Sequence, residues 1–171
     1  MNEDKVSKIP RSLITPTIQD PVKRYVFEDG SVLLVEIFGG NAKKKQVNKI
    51  HDMFANDMFI PENISGSGYT IIEDQRVSIK RGLVAIGFTI DYCYVNGGYD
   101  YIIDVRKPYC NVVGGTYSDL NLSIVRKRET ASLPAEAVAS ANVSFIGGIA
   151  AGGTHFCVFK LQNDKYEVTY Y

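Results

Sequence analysis

The 171-residue sequence contains no tryptophan, two histidines, three cysteines and no excess of either charge, and each shortage removes a class of protein. His51 and His155 cannot alone build a multi-histidine metal site, and neither stands in an H-E-x-x-H or H-x-x-E-H spacing. Cys93, Cys110 and Cys157 are odd in number, widely spaced and outside any C-x-x-C pattern. Buried free thiols in a reducing compartment are therefore expected rather than a disulfide framework or a structural zinc. No metal and no cofactor is expected. Nineteen basic and nineteen acidic residues balance to zero, so global charge gives no reason to expect sequence-specific nucleic-acid binding. The opening residues MNEDKVSKIPRS lack the apolar stretch of a signal peptide, and no later run approaches the roughly 20 apolar residues of a membrane helix. An intracellular, cytoplasmic chain, peripheral where it meets membranes, is the expectation.

What is present reads as one β-rich domain. Residues 1–21, punctuated by Pro10, Pro16 and Pro21, are expected to form a flexible N-terminal arm, and 22–171 a single globular domain. Asn96-Gly97 between aromatic and β-branched runs predicts a two-residue type I′ hairpin. That turn would pair Tyr94 with Tyr99, Tyr92 with Tyr101, Ile90 with Ile103 and Phe88 with Val105, leaving Asp91, Asp100 and Asp104 on the opposite face. Asp29-Gly30 predicts a second hairpin, and Gln162-Asn163-Asp164 a third in which Tyr166, Val168 and Tyr170 share one face. Asn41 can cap a helix over about 41–55, with Val47, Ile50 and Phe54 on its apolar side, and Ser132 can open a short helix over about 132–141. The fold class expected is α+β, β-rich: an antiparallel meandering sheet or small sandwich of hairpins, packed by those helices.

Among candidates for chemistry, the turn from Gly39 and Gly40 into Lys43, Lys44, Lys45 and Lys49 stands out. Glycines before a helix start let an anion approach free N–H groups, and three lysines in a first turn oppose the helix dipole unless an anion sits there. A second basic cluster is Arg126-Lys127-Arg128, and Lys80-Arg81 and Arg106-Lys107 are smaller ones. The three aspartates of the central hairpin match the solvated face of a sheet. His155 and Cys157 share a strand face but stand about 6 to 7 Å apart, too far for a nucleophile and its base. The tyrosines suit cross-strand packing and protein interfaces better than nucleic-acid stacking. The segment FIGGIAAGG, 145–153, reads as a bent core strand, with a loop that enters a membrane surface or a neighbouring subunit as the other option. No catalytic residue is expected.

In size and layout, with a proline-punctuated, lysine-bearing arm that includes SLITPTIQDP, the chain resembles the matrix proteins of plant-infecting rhabdoviruses. It carries neither a PPxY nor a P-[ST]-A-P motif. The resemblance implies a β-sheet packed by a few helices and a non-enzymatic structural protein. It implies self-assembly into homo-oligomers, contact with anionic membrane through Lys43–Lys45 and Arg126–Arg128, and contact with a nucleoprotein. The competing expectation is a small-anion or phosphate-ligand-binding domain, an enzyme among the options, built on the Gly39–Lys45 turn.

Overall fold

The computed structural model describes residues 15–17, 19–45, 68–148 and 152–170. Among the described residues, nine strands form two antiparallel sheets. The first has the order β1 (Val22–Val26), β2 (Val32–Lys45), β3 (Tyr69–Arg81), β4 (Val84–Val95), β5 (Tyr101–Val112). The second has the order β6 (Gly115–Arg126), β7 (Ala135–Phe145), β8 (Gly153–Gln162), β9 (Lys165–Thr169). The chain passes from one sheet to the other once, at the turn after β5, so both sheets are simple meanders.

Alternation along the strands builds the core between them. Val77 and Ile79 of β3, with Ile86, Phe88, Ile90 and Tyr92 of β4, face inward from the first sheet; Cys157, Phe159 and Leu161 of β8, with Val168 of β9, meet them from the second. Opposite the large residues, β7 supplies mostly small ones: Ala135, Ala137, Ala139 and Ala141 are all buried, followed by Val143. Large against small across facing sheets lets the layers approach without voids. Tyr92 contacts Phe159 at 5.1 Å and Tyr166 at 6.2 Å between ring centroids, so aromatic contacts join the two layers.

Both expected helices give way to strand, so the fold is β-sandwich rather than α+β, and the sheet packed by helices that the matrix resemblance implied is not what the described residues form. Asn41 to Lys45 continue β2 and pair with Glu73 to Tyr69 of β3; the rest of the 41–55 helix and Lys49 lie outside the described residues. The lysines that would burden a helix dipole carry no such cost in a strand. Residues 135–141 belong to β7, because an alanine at every second position fits a period of two whatever its helix propensity. One short 3-10 turn, Ile146–Gly148, is the helical element among the described residues, and none of their helices is long and apolar enough to cross a membrane. It also ends the expected bent strand: β7 stops at Phe145 and β8 begins at Gly153.

The central hairpin forms between the expected strands in a different register. Cys93 pairs with Tyr101, Tyr92 with Ile102, Asp91 with Asp104, Ile90 with Val105 and Thr89 with Arg106. Gly98 donates to the Val95 carbonyl at 2.9 Å, and of the two central residues Gly97 has φ of 73° while Asn96 keeps a negative one. That is the pattern of a type II turn rather than I′. The Asp100 carboxylate takes the N–H of Val95 at 2.8 Å, holding a longer loop closed. Register then shifts twice more along the pair, between Gly87 and Thr89 and between Asp91 and Tyr92. The type I′ turn occurs instead between β8 and β9, where Asn163 and Asp164 have φ of 55° and 56°. There Tyr166, Val168 and Tyr170 do share the inward face, packed on or buried in the core.

Candidate functional site

Gly39 and Gly40 lie within β2 and do not precede a helix start. Their φ values of 71° and 91° kink β2 opposite Asp74, whose own φ is 58°. A Cβ on Gly40 would collide with Oε1 of Gln75, and one on Gly39 would stand 3.0 Å from the Asp74 carbonyl. The kink thereby makes room for the buried Gln75 amide, whose Nε2 donates to the Phe38 carbonyl at 2.7 Å. A buried amide that replaces lost ladder bonds is the reason for two adjacent glycines here.

The register brings the two basic clusters to one end of the molecule. Lys43 pairs with Ile71, Ile71 with Cys93, Cys93 with Tyr101, and Tyr101 bridges to Arg128, so both clusters lie on one cross-strand row. At about 4.8 Å per strand they stand roughly 19 Å apart, at opposite ends of that row. The second cluster is partly committed to structure. Arg126 Nη1 donates to the Pro134 carbonyl at 2.9 Å, and the Arg128 guanidinium lies over the Tyr99 ring at 5.7 Å. Lys127 is exposed and uses only its carbonyl, which accepts from Ile102 at 2.8 Å.

The three aspartates part company. Asp91 and Asp104 are cross-strand partners joined by Arg106, which sequence reasoning had not linked to them. Its guanidinium bonds both Asp91 oxygens, at 2.6 and 2.9 Å, Asp74 at 2.6 Å and Asp104 at 3.3 Å. These carboxylates hold Arg106 protonated well above its ordinary range, as a bidentate partner should. Asp100 instead lies at the junction of the sheets. It is 0% exposed, and its oxygens take the N–H groups of Val95 and Asp164 at 2.8 and 2.7 Å. Glu129, 4% exposed, takes those of Asp100 and Asn163, both at 2.9 Å. Two carboxylates thus clasp the β4–β5, β6–β7 and β8–β9 turns. Burial, with Glu129 and Asp164 nearby, pushes the Asp100 carboxyl up to about 6 against the pull of its two N–H donors.

None of the thiols is poised as a nucleophile. Burial raises all three, Cys93 to about 11, and Cys157 is packed in the core. His155 Nδ1 meets the Tyr170 hydroxyl at 2.5 Å, and burial together with Arg81 lowers its pKa. Arg81 stacks over the Tyr170 ring at 4.8 Å. Cys157 shares the strand with His155, and the imidazole's partner is a tyrosine.

The end of the sandwich away from the basic clusters carries exposed aliphatic side chains beside the acidic Glu28-Asp29 turn. Leu83, Val113 and Ile146, on the turns after β3, β5 and β7, are 39%, 64% and 70% exposed. The turns are laced together: Val113 donates to the Leu83 carbonyl at 2.9 Å and Ile146 to that of Gly114 at 3.0 Å. The signal for this site was the FIGGIAAGG segment, which reads as a bent core strand with an inserting loop as the other option.

No protein-family model, curated protein or solved structure matches the chain.

Proposed function

We propose that the protein is a non-enzymatic interaction module that associates with itself and with an anionic surface, as the matrix-like reading implies, using its basic end. The observation that carries this is the cross-strand row that sets Lys43–Lys45 and Arg126–Arg128 at one end of the sandwich although they lie some 80 positions apart in sequence. The ionisable groups support it: Asp100 and Glu129 hold backbone N–H groups, Arg106 holds three aspartates, and the thiols are buried and protonated. Each has a structural duty that an acid, base or nucleophile in catalysis would have to leave. The small-anion reading loses its physical basis, since the Gly39–Lys45 segment runs as strand and presents no helix N-terminus.

Heparin, a soluble polyanion, is the probe. Binding followed by anisotropy should weaken steeply as salt rises, because each neutralised anion releases a counterion. Replacing Lys43, Lys44, Lys45 and Lys127 by Ser should cost tenfold or more in affinity while light scattering still reports the same oligomers. Undiminished binding by that variant would overturn the assignment.

A further inference from the structure

The end carrying exposed aliphatic side chains offers a second surface with a different chemistry. We infer that Leu83, Val113 and Ile146 form a tip that enters the acyl boundary of a lipid bilayer, leaving the basic end turned away from it. This names a second partner for the interaction module proposed above, and rests on that reading only for the basic end.

Three features favour lipid. The tip consists of three aliphatic side chains on neighbouring turns, standing out at the end of the sandwich. Protein hot spots favour Tyr, Trp and Arg, whereas interfacial lipid insertion needs only apolar side chains that can leave water. The three turns themselves carry no charged side chain, and the acidic turn at this end, Glu28-Asp29, lies on the neighbouring β1–β2 hairpin. The chain has no Asp, Glu, Lys or Arg at 82–90, 108–118 or 137–159. The nearest cation, Arg81, is folded back over Tyr170. Finally, the backbone N–H groups of Gly82, Val113 and Ile146 are already bonded, to the carbonyls of Val32, Leu83 and Gly114. A turn entering a bilayer must satisfy its polar groups internally, and these three N–H groups already do so.

Geometry separates the two ends. A 12-residue strand such as β4 spans about 40 Å at ~3.4 Å per residue. Electrostatic influence in physiological salt fades over about 8 Å, so the basic end adds nothing to lipid contact when the tip is inserted. Zwitterionic vesicles should therefore suffice, and salt should matter little. The acidic Glu28-Asp29 turn at the same end of the first sheet gives no preference for anionic lipid.

The absence of tryptophan makes the test direct. Val113→Trp installs one fluorophore at an exposed turn position, with circular dichroism to confirm an unchanged fold. Added phosphatidylcholine vesicles should shift its emission to the blue, and lipids brominated on their acyl chains should quench it. Ile146→Asp in the same background should lower partitioning at least tenfold, and the Lys43/Lys44/Lys45/Lys127→Ser set should leave it unchanged. Emission that stays water-like, or vesicle binding that requires anionic lipid and the lysines, would overturn tip insertion and leave the heparin result standing. A blue shift that grows with protein concentration without vesicles would assign the tip to a second copy and overturn it equally.

Discussion

Asp100 and Glu129 show what a pair of side chains can do without a cation. Each carboxylate satisfies two backbone N–H groups from turns of different sheets, so removing one leaves donors orphaned in a buried site. Asp100→Asn keeps the shape but replaces an acceptor by a donor facing a donor, and should cost about 1–3 kcal/mol. The pH dependence has a definite sign. A carboxyl whose folded pKa of about 6 lies above its ordinary 3.8 binds its proton more tightly when folded. Its contribution to stability is therefore greatest below pH 4 and declines as pH rises to 6. Thermal melts between pH 4 and 7 should show the wild-type advantage over Asp100→Asn shrinking as pH rises; an advantage that grows would refute the raised pKa. None of this was legible beforehand, since Asp100 reads by alternation as a solvated strand residue, and its partners Glu129 and Asp164 lie 29 and 64 positions away.

The strands themselves were legible wherever their signals were periodic. The Asp29-Gly30 and 162–164 hairpins formed where expected, and the inward Tyr166, Val168 and Tyr170 follow from counting by twos. Failures arose where a local signal competed with a distant partner. Asn96-Gly97 did make a turn, but the Asp100 side chain and two bulges reset the register. Asn41 was a plausible cap, yet β3 from Tyr69 to Glu73 supplied a ladder for Asn41 to Lys45. Before β7 the Ser132 cap suggested helix, although the strict alternation of the alanines that follow was the decisive clue. That alternation has an energetic consequence, because the alanines are buried in one core with the large residues of β4 and β8. Ala139→Leu should overpack this layer and destabilise by about 1–3 kcal/mol, measured by urea unfolding, while Ser140→Leu on the outward side should change little. Equal effects at both positions would mean that the inner layer is not tightly packed.

At the scale of the molecule, the two ends of the sandwich differ in chemistry. Its ladder sets Lys43–Lys45 and Arg126–Arg128 at one end and the Leu83, Val113 and Ile146 turns at the other. The basic clusters were visible in the sequence, but their meeting on one row was not, because it depends on pairing across four successive strand contacts. The end with exposed aliphatic turns was visible only as a glycine-rich stretch whose exposure no pattern reveals. Two ends of this kind suit a protein that joins unlike surfaces, and both can be engaged at once only if they are independent. Co-flotation tests this most directly: fluorescent heparin is mixed with phosphatidylcholine vesicles and centrifuged with and without the protein. Heparin that rises with the vesicles only when the protein is present is the expected result. Protein that leaves the vesicles as heparin is added would mean that one surface serves both, contrary to a two-ended module.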